Sequence, residues 1–310
     1  MTGTEAVGGG WRGRRCLVTG AGGFIGTALC ARLRSLGTNV FAYRHQSAAT
    51  ATGTTGACDV TDVAQVQASF AAAQPDCVFH LAAKVTGARS INLVRPTLAT
   101  NLLGTVNVVL AAADQNSSSV VCLGSLQEPD QELPPVPCAP YAAAKFAASS
   151  YARMFAEVFS LPVTIARPHM VYGPGQLDFT KLIPYVARQL ICGETAELSS
   201  GKQAFDWVYV DDVVDALIAV AERPELKGRM IDVGCGMLTT VAEVAAGIGR
   251  RLDLVSSIKL GAIADRRLEP TRVADVVTTA RLIGWRAKVT VEDGLDQSVE
   301  WYRSYLRHVP

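Results

Sequence analysis

The sequence predicts an α/β fold: a doubly wound parallel sheet with a smaller C-terminal α/β domain. Three observations predict it. Short apolar runs alternate with alanine-rich stretches of helical length. The runs are apolar at every position rather than at every second one, as in strands covered on both faces. A glycine-rich turn, TGAGGFIG at 19–26, stands between the first run and the first helical stretch.

RCLVTG at 15–20 reads as the first strand, and an alanine- and leucine-rich helix is expected from about 24 to 36. NVFAYR at 39–44 is the second strand. CVFHLAA at 77–83, VVCLGS at 120–125 and VTIARP at 163–168 read as further buried strands. Helices between them are expected to include 96–113 and 141–159. A proline-rich loop, PDQELPPVPCAPY, leads into the second of these. The rhythm weakens after Tyr172, where GPG at 173–175 and a return segment near 205–214 point to a second region built from two stretches. The expected organisation is a loose leader at 1–13, a first domain at 14–173 plus about 205–222, and a substrate domain at about 174–204 and 223–310. No internal repeat is visible.

Composition narrows the function classes. In 310 residues, 49% are apolar, which suits a large core rather than disorder. The net charge is +1 with no basic block, so nothing argues electrostatically for nucleic acid or an anionic membrane as partner. No apolar run reads as long enough to span a bilayer. The start, MTGTEAVGGGWRGRR, lacks the apolar core of a signal peptide. Eight cysteines without a CxxC pair read as reduced core residues of a cytoplasmic protein, and no ligand spacing fits a metal.

Gly20, Gly23 and Gly26 follow a strand and open a helix. Without Cβ atoms the backbone can approach a pyrophosphate, whose charge faces the helix N-terminus. The alternative is a tight turn with no ligand. The second strand ends in Arg44-His45 rather than an acid. An arginine there pairs with the 2′-phosphate of NADP, which favours NADP(H) over NAD(H), although a solvated surface arginine remains open. Asp59 is either an acceptor for an adenine amino group or a cap or turn aspartate. Tyr141 and Lys145, four apart in YAAAK, share a helix face. An ammonium beside a phenol lowers its pKa, and Ser125 from another segment can hold a carbonyl oxygen against it; a structureless helix-face pair is the alternative. His80 reads as a satisfied core histidine, and Glu128 with Asp130 as solvated loop acids.

In order along the chain, TGAGGFIG, DVTD at 59–62, HLAA at 80–83, NLLGT at 101–105, Gly124-Ser125, YAAAK, RPHMVYGPG at 167–175, FDWVYVDDV at 205–213 and DVGCG at 232–236 form a set with LIGW…EDGL…WY. Together they resemble the extended short-chain dehydrogenase/reductase family, in its nucleotide-sugar branch. The resemblance implies a Rossmann domain, a C-terminal substrate domain, a homodimer and a Ser125–Tyr141–Lys145 centre. Tyr141 would be the general acid/base, Ser125 would orient the sugar oxygen, and Lys145 would hold the nicotinamide ribose. For the cofactor it implies Gly20, Gly22, Gly23, Phe24, Ile25, Gly26, Arg44, His45, Asp59, Val60, Leu81, Ala82, Ala83, Lys84, Asn101, Pro168 and Val171. For the substrate it implies Thr86, Ser125, Met170, Lys181, Arg266 and Glu269, the last two in a segment, RRLEP, similar to one that grips the nucleotide diphosphate. Surface charge is the other reading of Arg266 and Arg267.

Departures from the family pattern narrow the chemistry. Dehydratases of this branch carry Asp-Glu after the catalytic hydroxyl, whereas Ser125 is followed by Leu126-Gln127. Pro129 replaces a usual tyrosine, Met170 a usual asparagine and Phe205 a usual arginine. HLAAKVTG, with Lys84 and Thr86, is similar to the type that reduces a GDP-linked 4-keto sugar. The expectation is NADPH-dependent reduction of a nucleotide-linked 4-keto-6-deoxysugar. The alternatives are an NAD-dependent 4-epimerase or a carbonyl reductase acting on a non-nucleotide substrate.

Overall fold

A computed structural model describes residues 10–45, 55–129, 136–265 and 271–308. In chain order, β1 (Arg15–Thr19) leads through the glycine turn into α1 (Phe24–Ser35), followed by β2 (Asn39–Arg44), β3 (Thr55–Ala57), α2 (Val63–Ala73) and β4 (Cys77–His80). Three helical segments then join end to end: α3 (Val94–Thr97), a π-helical stretch (Leu98–Leu103) and α4 (Gly104–Asp114). After them come β5 (Ser119–Leu123), α5 (Pro140–Phe159), β6 (Val163–Pro168), β7 (Met170–Tyr172), α6 (Leu182–Ile191), β8 (Ala196–Glu197) and β9 (Ala204–Tyr209). The chain ends through α7 (Val210–Ala221), β10 (Met230–Val233), β11 (Leu238–Thr240), α8 (Val241–Leu252), β12 (Ile258–Lys259), α9 (Val276–Ile283) and α10 (Val291–Arg307).

The main sheet has seven strands in the order β10-β6-β5-β4-β1-β2-β3. β1 pairs in parallel with β2 on one side, Leu17 opposite Phe41, and with β4 on the other, Leu17 opposite Val78. The order reverses between β1 and β4, which is where such sheets bind ligands at the carboxyl ends of their strands. Cys16, Leu17, Val18, Cys77, Val78 and Phe79 are all buried, so the continuous apolarity of these runs has the cause expected of it.

The chain divides into two compact units, Met1–Arg167 with Leu217–Ile231, and Pro168–Ala216 with Asp232–Pro310. Of the segment expected in the first domain at about 205–222, residues 217–222 belong to the first unit and 205–216 to the second, while 223–231, expected in the substrate domain, belong to the first. The reason is pairing: β9 bonds to β7 and β11 in a separate three-stranded sheet of the second unit. Two buried aspartates of the expected FDWVYVDDV motif fasten that unit. Asp206 accepts from the backbone N–H groups of Cys235, Gly236 and Ala274 at 2.6, 2.9 and 3.0 Å. Asp212 accepts from those of Lys288 and Val289.

Three other expectations need correction. The leader ends earlier than residue 13, because Trp11 is 0% exposed, stacks on Phe79 and donates to Glu222 at 2.6 Å. Burying about 200 Å² of indole at roughly 25 cal/mol per Å² favours this by about 5 kcal/mol before ordering costs. The helix expected at 96–113 is part of a continuous run, Ile91–Asp114, whose length and mean hydropathy of 1.3 do meet the requirement for crossing a membrane. Scattered polar residues hid it in the sequence; Asn101 and Thr105 are buried, and 44% of its apolar window is covered within the fold. Among the cysteines, Cys192 is exposed and Cys138 and Cys235 are partly so, because they stand on loops and turns rather than in strands.

His80 closes β4. Its Nδ1 shares a hydrogen bond with Thr19 Oγ1 at 2.8 Å and its Nε2 with Thr105 Oγ1 at 3.0 Å. Burial, with a smaller contribution from the Lys145 ammonium, pulls its pKa from 6.5 down to about 3. The folded protein therefore holds His80 neutral where the unfolded chain would protonate it. This contribution to stability is intact above pH 6.5 and is lost progressively as the pH falls towards 3, with a limiting slope of about 1.4 kcal/mol per pH unit. Urea unfolding midpoints of wild type and His80→Gln at pH 7 and pH 5 test this: the wild type should lose more on acidification than the variant.

Candidate active site

The glycine turn is shaped by close backbone approach. Gly20 has φ +67°, and a Cβ there would stand 2.6 Å from Ala82 N and 2.7 Å from the Leu81 carbonyl carbon. A Cβ on Gly26 would overlap the Gly20 carbonyl oxygen. Gly23 caps α1 with no side-chain acceptor, and the first turn of that helix holds no acidic residue. Its N–H groups and positive helix end are left for an anion. Gly22 and Gly23 are exposed there, Phe24 and Ile25 half-buried. A turn packed so tightly against backbone that Gly20 and Gly26 leave no room for a Cβ, with exposed Gly22 and Gly23 at a bare helix N-terminus, fits the pyrophosphate of a dinucleotide.

The residues around this turn come from the ends of four strands. Arg44, at the end of β2, lies over Gly22: a Cβ on that glycine would be 3.1 Å from the arginine Cδ. His45 Nδ1 is 3.9 Å from Asp59 Oδ2. The other Asp59 oxygen accepts from the Thr61 N–H and hydroxyl at 2.9 and 2.8 Å. These bonds, led by the backbone one, lower its pKa. Asp59 thus makes a turn, and the N-cap of α2 is Asp62. Val60 is buried, and its carbonyl accepts from Asn107 at 2.9 Å. After β4, the Leu81 and Ala82 N–H groups donate to the carbonyl and hydroxyl oxygens of Thr19, a residue the sequence did not single out. Ala83 is half-buried beside them. Asn101, on the π-helical stretch, holds both backbone groups of Lys84: its Oδ1 accepts from the N–H at 2.7 Å and its Nδ2 donates to the carbonyl at 3.2 Å. Thr86 accepts from the Ala88 N–H.

Ser125, Tyr141 and Lys145 meet in the first unit. Ser125 follows β5. Pro140 opens α5 at its first position, where its fixed φ suits a helix start. Tyr141 is therefore in the first turn and Lys145 one turn on. All three are buried. Ser125 faces the Tyr141 phenol, and its Oγ accepts from the Gln127 N–H at 3.2 Å. Lys145 Nζ donates to the Leu123 carbonyl at 2.7 Å.

The electrostatics differ from expectation in two ways. Tyr141 is not lowered: burial pushes its pKa up to about 12, and the nearby Ser125 side chain offsets only part of this, while the Glu128 carboxylate adds to it. The Lys145 ammonium, expected to depress the phenol, is itself disfavoured by burial. Glu128 is not solvated either. It is 1% exposed, and its Oε1 accepts from the Ser125 N–H at 2.6 Å. Nothing in the sequence beyond its place three residues after Ser125 signals this. Asp130, Arg266 and Glu269 lie outside the described residues.

In the second unit, Pro168 is buried, and Met170 and Val171 are half-buried on β7. Lys181 stands at the N-cap of α6 with Nζ 4.0 Å from Asp178 Oδ2. His169 is buried with its ring nitrogens 4.0 Å from Asp206 Oδ2 and Asp232 Oδ2. Among the described residues no group of three or more His, Cys, Asp or Glu side chains is placed to hold a metal ion.

Known proteins share this architecture along their whole length. UDP-glucose 4-epimerase of Mycolicibacterium smegmatis is 29% identical over 317 residues, covering 94% of this chain and 99% of that protein. The solved structure of MoeE5 in complex with UDP-glucose and NAD superposes with a TM-score of 0.81 at 29% identity, over 94% of this chain and 99% of that one. DesIV, a dTDP-glucose 4,6-dehydratase from Streptomyces venezuelae solved with NAD bound, gives a TM-score of 0.83 at 26% identity, over 94% and 97%. The NAD dependent epimerase/dehydratase family matches residues 16–234, a span that runs from β1 through β10 and takes in the glycine turn and all of Ser125, Tyr141 and Lys145, and the chain belongs to that family.

Proposed function

We propose that this protein is an NADPH-dependent reductase of a nucleotide-linked 4-keto-6-deoxysugar. A bound nicotinamide supplies the hydride. The side chains supply the rest. Ser125 holds the sugar C4 oxygen by a hydrogen bond, and Tyr141 gives that oxygen its proton. Tyr141 sits at the positive end of α5, which favours the phenolate left behind. Lys145, anchored on the Leu123 carbonyl, presents its ammonium to the nicotinamide ribose. By the family pattern Pro168 and Val171 are assigned to the nicotinamide and Thr86, Met170 and Lys181 to the sugar nucleotide; Arg266 and Glu269, assigned to its diphosphate, lie outside the described residues.

Dehydration is disfavoured by the Ser125 turn. Leu126 and Gln127 stand where an acid and a base would be needed, and Glu128 is turned back onto the Ser125 N–H. Reduction over epimerisation is carried by Arg44. Its side chain lies against the glycine turn, where a guanidinium pairs with a 2′-phosphate; an NADP preference suits net consumption of hydride. The full-length similarity to the M. smegmatis UDP-glucose 4-epimerase favours NAD-dependent 4-epimerisation as the second reading.

The surface of the first unit supports a homodimer. Val94, Leu98, Leu103 and Leu110 on the run Ile91–Asp114, with Tyr151 and Phe159 on α5, are large apolar residues left exposed. Such a face is expected to be covered by a second copy.

The chemistry is tested by NADPH oxidation with dTDP-, GDP-, CDP- and UDP-linked 4-keto-6-deoxysugars. One of them should turn over, and Tyr141→Phe should reduce kcat by roughly 10²–10⁴-fold. No oxidation across the panel, with NAD retained by the purified protein, would transfer the assignment to the epimerase. Arg44→Ala should raise KM for NADPH by about tenfold or more with KM for NADH little changed, as loss of a charge-assisted pair of about 1.5–3 kcal/mol requires; an unchanged NADPH KM rules out that role. Light scattering after size exclusion should give a dimer, and Leu103→Glu should give monomers. A monomeric wild type at micromolar concentration would sink the interface.

A further inference from the structure

Glu128 is a buried acid that the proposed chemistry leaves unused. Its position is built rather than incidental. The Glu128 N–H donates to the Ser125 carbonyl at 3.1 Å, and its carboxylate returns to the Ser125 N–H at 2.6 Å. Gly124 makes room for it: a Cβ there would stand 2.8 Å from Glu128 Oε1. On the same stretch of chain, Lys145 holds the Leu123 carbonyl at 2.7 Å. The ammonium and the carboxylate thus grip a carbonyl and an N–H only two residues apart, each on the backbone group of opposite polarity. Lys145 is 3% exposed and Glu128 1%. A lone charge in either place would be strongly penalised; each group's opposite charge lies near enough to act on the other and offset part of that cost.

The surrounding groups support the pairing. Lys145, Tyr141 and Ser149 face Glu128 from α5, and Arg167 faces it from the end of β6. Cys122 on β5 and the neutral His80 on β4 face Lys145. Burial pushes the Glu128 carboxyl up and the Lys145 ammonium down, and each partner's charge opposes the shift of the other.

We propose that Glu128 is a positioning residue: the buried counter-charge that keeps Lys145 an ammonium and fixes the Ser125 turn beside Tyr141. The proposal rests on the reading of Ser125, Tyr141 and Lys145 as the reacting centre. It assigns Glu128 no proton transfer to substrate. Its carboxylate acts on Tyr141 through space, holding the proton on the phenol to higher pH.

The first test needs no substrate. The carboxyl infrared band lost in Glu128→Gln identifies Glu128 in the full-length protein. Its acid–carboxylate transition should move to higher pH in Lys145→Met, because the ammonium that favours the carboxylate is gone. A transition at the same pH in both proteins overturns the pairing, whether or not any sugar in the panel turns over. The second test uses turnover. Glu128→Gln keeps an oxygen for the Ser125 N–H but removes the charge. It should lower kcat by about tenfold with KM nearly unchanged and move the alkaline limb of the rate profile down by about one pH unit. If Glu128→Gln matches wild type in limb and rate while only Glu128→Ala is impaired, the residue merely shapes the turn and the proposal fails.

Discussion

The close approach of Gly20 to the Leu81–Ala82 backbone is the constraint on which the first unit depends. β1 and β4 lie side by side at the reversal of strand order, so their ends must pass within contact distance, and a Cβ at Gly20 would leave no room for the Ala82 N–H. That contact brings Thr19 to the Leu81 and Ala82 N–H groups and to His80. It also leaves the N-terminus of α1 bare beside the ends of β2 and β4. The cradle and the sheet order are therefore one structural fact.

The proposed reacting centre uses a second device, polar side chains anchored on backbone ends. Lys145 is held by the last carbonyl of β5, Glu128 by the Ser125 N–H and Asn101 by both backbone groups of Lys84. Each bond satisfies a backbone group at or beyond the end of a strand and fixes a buried polar side chain beside the proposed centre or the glycine turn. The same device fastens the second unit, where Asp206 takes three N–H groups. Buried charge is stabilised here by backbone partners of matching polarity: the Leu123 carbonyl for Lys145, the Ser125 N–H for one oxygen of Glu128, and three N–H groups for Asp206.

Much of the site was legible as sequence. The turn glycines, YAAAK and Ser125 are local motifs whose geometry follows from strand–turn–helix order, and the structure brings each where that order requires. Glu128 was not legible, since a glutamate before a proline-rich loop reads as solvated until the chain folds it back. The reversed shift of Tyr141 was not legible either. Spacing puts an ammonium one turn away, but it says nothing of how deeply the phenol is buried, and burial outweighs the neighbour. The trace of the second unit was misjudged because β9 follows a long helix–loop passage and its pairing with β7 and β11 depends on partners distant in the chain.

The sequence by itself determined the class of fold, the alternation of strands and helices in the first unit, the glycine turn and the family. Those are set by local periodicity, by glycines where Cβ atoms cannot fit and by short motifs in fixed order. Only the tertiary structure decided which acids are buried, which strands join the second sheet, that Trp11 belongs to the core and that Ile91–Asp114 is one run. Those properties arise from what lies beside a residue in space, and neighbours far apart in the chain leave no mark on local sequence.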